Sequence, residues 1–150
     1  MQLVSKLFSE LSTDELFAIM RTRVDVFVVE QQCPYPELDN VDCMADTAHL
    51  YWLNGQQLGA YARCYNKNAQ YSAIGRVLVE QSQRGKGLAP LLVNEAIQLC
   101  FKQWPDKDIH IGAQTYLLGF YQSLGFQCTG EVYLEDGIEH QDMILINRSM

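Results

Sequence analysis

The junction "GRVLVEQSQRGKGLAPLLVNEAIQLC" constrains the fold of this chain more than any other stretch. Val77, Leu78 and Val79 form a continuously apolar run, as a central strand covered on both faces does. Two glycines and two cations follow, and an amphipathic helix comes directly after them. A strand entering a helix through a tight glycine loop is half of a crossover connection, and crossovers build α/β sheets. The same junction has chemical potential. A helix N-terminus carries unpaired backbone N–H groups and partial positive charge. Gly85 and Gly87 let the backbone approach a ligand closely, and Arg84 and Lys86 add full charges. Together these features suit a phosphate or pyrophosphate. Taken alone, the loop is equally a strand-to-helix turn with solvated cations.

The rest of the chain extends the α/β pattern. Residues 3–8 suit a first strand. Ser12 with Glu15 has the capping-box pattern, and Leu16, Ile19, Met20, Val24, Phe27 and Val28 recur at helical spacing, so a helix is predicted over 13–30. Pro34 and Pro36 close it, and "CPYPELDNVDCMAD" reads as an irregular loop. "AHLYWLN", "QLGAYARCYN" and "YSAIGRVLVE" are strands joined by turns. The helix of the opening junction runs to about Gln103 before Pro105. "DIHIGAQ" is a short strand and "TYLLGFYQSLG" a short helix ended by Gly125. The last segment is a hairpin about Asp136-Gly137. The order β-α-β-β-β-α-β-α-β-β predicts one domain over 1–150, an α/β mixed sheet with hairpins in its middle and crossover helices later.

Composition narrows the partners. The 150 residues carry a formal net charge of -7, which argues against nucleic acid, since duplex binding needs a basic stripe. No apolar stretch approaches ~18 residues and the N-terminus has no signal-peptide pattern, so no membrane segment is expected. The five cysteines are odd in number and lack any CxxC pair. They read as reduced thiols of a cytoplasmic protein, without zinc or a disulfide framework. The three histidines lie far apart in sequence, so no metal is expected.

"RGKGLA" is not a Walker A loop and not a GxGxxG fingerprint, and it stands after four strands rather than the first. It resembles the central acetyl-CoA motif of the GNAT N-acetyltransferases, whose Arg/Gln-x-x-Gly-x-Gly/Ala pattern is met by Arg84, Gly87 and Ala89 after Val77-Leu78-Val79. Further on, "FYQSLGF" supplies Tyr121, Gly125 and Phe126 for the family's Tyr-x-x-x-Gly-Phe segment. The likeness is closer to the ElaA-like branch, through "RVDVFVVEQQCPYPELDNVD", "HLYW", "YARCY", "GRVLV", "AQTYLLGFYQSLGF" and "LEDGIEH". One departure is Glu139 before His140, where the branch usually has Pro.

The resemblance implies a GNAT-type acyl-CoA N-acyltransferase fold, its mixed sheet splayed between strands 4 and 5 and flanked by helices. It implies acetyl-CoA as co-substrate, held by Val77, Leu78 and Val79, by the loop Arg84, Gly85, Lys86, Gly87, Leu88 and Ala89, and by Gln114 and Tyr121. Tyr121 takes the position of the acid that protonates the departing thiolate; on its residues alone it is a packing group of an amphipathic helix. Acetyl transfer to a primary amine also needs a base. The strand carboxylate that several acetyltransferases carry near Gly75 or Arg76 has no counterpart here. Glu30 and His140 are the candidate bases. Glu30, Asp39, Asp42, His49 and Arg76 are the candidate substrate contacts, Arg76 either as an ion-pair partner of a loop acid or as a group orienting the substrate. The acidic loop favours a small cationic amine, and the fold is compatible with a homodimer. Two other readings stand beside this one: a CoA-binding sensor without chemistry, and an acyltransferase resembling acyl-homoserine-lactone synthases, suggested by the "RVDVFVVEQQCPYPELDNVD" segment.

Overall fold

A computed structural model describes residues 1–148 of the chain. Seven strands form one sheet: β1 (Val4–Leu7), β2 (Ala48–Asn54), β3 (Gln57–Asn66), β4 (Tyr71–Val79), β5 (Asp108–Gln114), β6 (Gln127–Glu135) and β7 (Ile138–Leu145), in the order β1-β2-β3-β4-β5-β7-β6. Among the described residues only β4 and β5 run parallel; every other pair is antiparallel. Helices α1 (Thr13–Arg23), α2 (Leu88–Gln103) and α3 (Leu118–Ser123) complete the order read from the sequence.

The helices lie on both faces because β3 alternates. Ala60, Ala62 and Cys64 join α2 residues Leu92, Val93, Ala96 and Cys100 in the larger core. The small β3 side chains let α2 sit close, and each fully buried Leu or Val contributes about 1.5–3 kcal/mol. Tyr61 belongs to the smaller core on the other face, with Ile19 and Val26, and a register shift between Ala60 and Leu58 brings Leu58 to that same face.

Ser12 caps α1 as its capping-box sequence predicts: the Glu15 N–H donates to Ser12 Oγ at 3.1 Å and the Ser12 N–H donates to Glu15 Oε1 at 2.8 Å. The helix predicted over 13–30 is not uniform. It is α-helical to Arg23 and continues as π-helical turns from Val24 to Glu30, ending with the Cys33 N–H on Val28 O at 3.0 Å, five residues back. The wider turn buries Val26 and leaves Val29 exposed, a re-aiming that α-periodicity does not encode.

Two irregularities open the sheet. β4 and β5 are registered only through Tyr71–Ala73 and Asp108–His110, and then part. In the same region the register of β4 against β3 slips: Tyr61 faces Leu78 and Arg63 faces Gly75, so Arg76 and Val77 together oppose Ala62. This is a β-bulge, with Arg76 in the left-handed region at φ 52°. "IGRVLV" is therefore a bent strand and not a straight one.

Candidate functional site

The parting of β4 and β5 leaves a cleft of about 1120 Å³. One wall is β4 from Ile74 to Val79, and the other is β5 from His110 to Gln114 with Tyr133, His140 and Asp142 of the last hairpin. The Gly85–Pro90 turn closes one end, and α3 contributes Phe120 and Tyr121. Beyond Ala73 the strand edges that face each other are unpaired, so their backbone amides and carbonyls are available to an extended ligand.

Gly85 and Gly87 have φ of 78° and 73°, and a Cβ at either would meet nothing within 4 Å. α2 begins at Gly87 with no side-chain cap. The first-turn N–H groups of Leu88, Ala89 and Leu91 thus have no side-chain partner among the described residues, as a phosphate-bearing ligand requires. The two cations of the turn behave differently from expectation. Arg84 folds back: its Nε donates to Val79 O at 2.8 Å, and its Nη1 and Nη2 grip Glu30 at 2.7 and 3.0 Å. Lys86 stands outside the cleft lining, with Nζ 3.1 Å from Gln83 Oε1.

Tyr121 lines the cleft at 4% exposure, its ring set against Phe120 and Phe126. Burial pushes its phenol above the ordinary value, so it is protonated at neutral pH. No described residue hydrogen-bonds its hydroxyl. Gln114 also lines the cleft, with Nε2 3.4 Å from Gln31 Oε1.

Below the β4 wall lies an ion network that the sequence did not reveal. Arg23 donates to Glu37 Oε2 at 2.7 Å, Glu37 O at 3.1 Å, and Asp42 Oδ1 and Oδ2 at 2.6 and 3.2 Å. Arg63 grips Asp39 at 2.7 and 3.0 Å and reaches Asp42 Oδ1 at 3.0 Å. Arg76 reaches Glu37 Oε2 at 2.8 Å and stands 3.6 Å from Asp39. Burial opposes ionisation of Asp39 and Asp42, yet the guanidiniums of Arg63 and Arg23 hold both below the usual carboxylate range. Arg76 is thus an ion-pair partner of the loop acids, a pairing made from the bulged, left-handed backbone position.

This geometry corrects the expected acidic rim. Asp42 is buried beneath the cleft wall rather than lining it, and its charge is met by two arginines. Asp39 and Glu30 line the cleft, but each is held by an arginine. His49 is also corrected: at 1% exposure it sits outside the cleft between Tyr61 Oη at 2.7 Å and Asp42 O at 2.9 Å, and burial lowers its pKa. It is a structural residue. His140 does line the cleft, its Nδ1 2.8 Å from Ile138 O and its Nε2 3.6 Å from Glu135.

Sequence reading passed over His110, Tyr133 and Asp142, which meet on the β5–β7–β6 wall. The alternation in "DIHIGAQ" carries the signal. Ile109, Ile111 and Ala113 enter the α2 core, which turns His110, Gly112 and Gln114 to the cleft.

Residues 20–146 match the acetyltransferase (GNAT) domain, and the chain belongs to the GNAT acetyltransferase family, whose fold is acyl-CoA-dependent. It is 42% identical over 137 residues to protein ElaA of Escherichia coli (strain K12), covering 90% of each chain. The crystal structure of Escherichia coli ElaA superposes with a TM-score of 0.92 at 39% identity, over 97% of this chain and 100% of that one. An acyl-CoA N-acyltransferase from Pseudomonas aeruginosa gives 0.92 at 36% identity, with the same coverage. The parted strands and the uncapped glycine turn are features that an acyl-CoA fits. Among the described residues no helix is long and apolar enough to cross a membrane, and no group of three or more His, Cys, Asp or Glu is arranged to hold a metal ion.

Proposed function

We propose that this chain transfers the acetyl group of acetyl-CoA to the nitrogen of a small, cationic primary amine, by direct attack with both substrates bound. The observation that carries this reading is the sheet that parts above an uncapped glycine turn, with the Tyr121 hydroxyl unpartnered in the cleft wall. Acetyl-CoA supplies an activated thioester carbonyl. The Gly85–Ala89 backbone would hold its phosphates, and the free edges of Val77–Val79 would pair with the amides of its arm. Tyr121 would donate its proton to the leaving sulfur, for which a protonated, desolvated phenol is suited. Asp142 and Glu135 on the opposite wall favour an acceptor that arrives as an ammonium ion. The cytoplasm is the compartment this chemistry implies. The exposed free thiols Cys43 and Cys128 suit a reducing environment.

Calorimetric titration of acetyl-CoA into the protein tests the first half, with Gly87→Glu, checked for folding by thermal melting, as the blocked control. Thiol release with 1,4-diaminobutane, spermidine, lysine, kanamycin and a hexapeptide with a free N-terminus tests the second. Micromolar binding lost in the control, with thiol release from at least one amine, is expected. Absence of binding would overturn the reading. Binding without release from any amine would leave a CoA-binding module and remove the transfer.

A further inference from the structure

The base is the missing partner in this chemistry, and the wall opposite β4 holds a constellation suited to the task. Asp142 on β7 faces Gly112 on β5, and Tyr133 on β6 faces His140 on β7. Tyr133 Oη donates to Asp142 Oδ1 at 2.7 Å, while Asp142 Oδ2 stands 3.3 Å from His110 Nε2. The Tyr133 ring stacks on His140 with centroids 5.9 Å apart and planes at 20°. Gly112 makes the arrangement possible: a Cβ there would lie 3.2 Å from the Tyr133 hydroxyl. His110, Gly112, Tyr133, His140 and Asp142 all line the cleft, and His110 stands opposite Ala73 at the point where β4 and β5 part.

Each member has a defined part. One oxygen of Asp142 accepts from Tyr133, and the other lies at ion-pair distance from the imidazole. That arrangement favours the tautomer with the proton on Nε2 and leaves the Nδ1 lone pair as the basic site. Nδ1 has no hydrogen-bond partner among the described residues. The groups facing His110 are Asp142 from β7, the Tyr71 ring from β4 with centroids 6.0 Å apart, and Lys67 from the β3–β4 turn. Burial and the Lys67 charge lower the imidazole pKa against the opposing pull of Asp142. His110 is therefore neutral, and able to accept a proton, at neutral pH. Burial works against the charge of Asp142, but its bonds to Tyr133 and His110 keep it ionised.

We propose that His110 is the catalytic base of this cleft and that Asp142 and Tyr133 are its positioning residues; this rests on the acetyl-transfer reading above. The acceptor ammonium gives one proton to His110 Nδ1. The freed nitrogen lone pair forms the C–N bond while the C–S bond breaks. The thiolate takes a proton from Tyr121, whose oxygen recovers one from the new amide nitrogen through solvent, and His110 passes its proton to water. The balance is ammonium plus thioester to amide, thiol and one released proton.

The test is the pH profile of kcat/KM for thiol release, with the fastest amine of the panel, in wild type, His110→Gln, Asp142→Asn and Tyr133→Phe. Acetyl-CoA binding is measured on each by calorimetry. His110→Gln is expected to lower kcat/KM about 100-fold with acetyl-CoA affinity unchanged, and to remove the acid limb. Asp142→Asn moves the acid limb to lower pH, because an anion that favours the imidazolium is gone; a purely structural role would not move it. Tyr133→Phe moves the limb up, because the carboxylate loses a competing donor. Activity of His110→Gln within about threefold of wild type, with the acid limb in place, overturns the proposal while leaving acetyl transfer standing. Nitrogen NMR of the imidazole in the unmodified protein decides the case even if the variants fold poorly: the Nε2–H tautomer is expected at His110, and an Nδ1–H tautomer would refute the base. Failure of wild type to bind acetyl-CoA, by contrast, removes the acetyl-transfer reading itself.

Discussion

Replacing Arg23 with Met tests how the floor of the cleft is held. Arg23 is 1% exposed and meets two carboxylates and one carbonyl. Breaking a buried ion pair by removing one partner costs about 3–5 kcal/mol. Each acceptor of Arg23 keeps a second donor. Glu37 Oε2 and Glu37 O keep Arg76, at 2.8 and 3.0 Å. Asp42 Oδ1 keeps Arg63 at 3.0 Å, and Asp42 Oδ2 keeps the Asp39 N–H at 3.1 Å. The loss therefore falls at the low end, about 3 kcal/mol, and Met fills most of the vacated volume. At a urea slope of about 2 kcal/mol per M, the midpoint drops by about 1.5 M. The sign of the pH dependence follows from the network. In wild type Asp42 and Asp39 have lowered pKa values, so their contribution is present above the ordinary carboxylate range and is lost as pH falls below it. In the variant Asp42 loses its nearest cation, so protonation costs less. The difference between the two proteins is thus nearly constant from pH 7 down to the ordinary carboxylate value and shrinks below it. Urea unfolding at pH 7, 4 and 2.5, followed by tryptophan fluorescence, measures both quantities. A difference below about 1 kcal/mol, or one that holds constant across that range, would refute the reading of these charges as one mutually dependent network.

Three further outcomes are expected. Glu15→Gln loses about 1–2 kcal/mol at pH 7, because bonds from the Ser12 N–H and Tyr51 lower the carboxyl to about 2; the loss disappears as pH falls from 4.5 through that value, as thermal melts against pH would show. Glu30→Gln frees the Arg84 guanidinium and removes a carboxylate from the phosphate end, so acetyl-CoA binds severalfold tighter and with a steeper salt dependence in calorimetry. Tyr121→Phe lowers kcat at least tenfold, with acetyl-CoA affinity unchanged; full activity would assign the leaving-group proton to water.

The sheet was legible where patterns are local. β2, β3 and β5 coincide with their predicted runs, and the Asp136-Gly137 turn joins β6 to β7 as read. Local pattern fails where one backbone can satisfy two geometries. "VDVFVVE" keeps a helical spacing in both α and π form, and it is the five-residue bonding, which ends with the Cys33 N–H on Val28 O, that distinguishes them. The bulge at Arg76 is a matter of register against β3, which no property of "IGRVLV" alone discloses. At the site, the glycine turn was visible from its own residues, whereas Tyr121 was singled out by the family resemblance of "FYQSLGF" and on its local pattern reads as a packing group. His49 and Asp42 misled because a titratable residue in sequence has no depth. Glu37, His110 and Asp142 were missed because their partners lie 14 to 39 residues away or across a strand register.

The parted strands have a consequence for self-association. An ordinary open sheet has two free edges, at its flanks; this one gains two more in its interior, where β4 and β5 face each other without pairing. Outer edges are guarded by bulges, charges and short strands. The inner edges carry only the bulge at Arg76 on β4 and are otherwise open, because a device that blocked every foreign peptide would also block the extended amide chain of a thioester substrate. A protein of this design pays for its binding groove with a standing invitation to strand insertion. Its substrate, once seated, would withdraw that invitation and act as a small-molecule chaperone for the chain that consumes it.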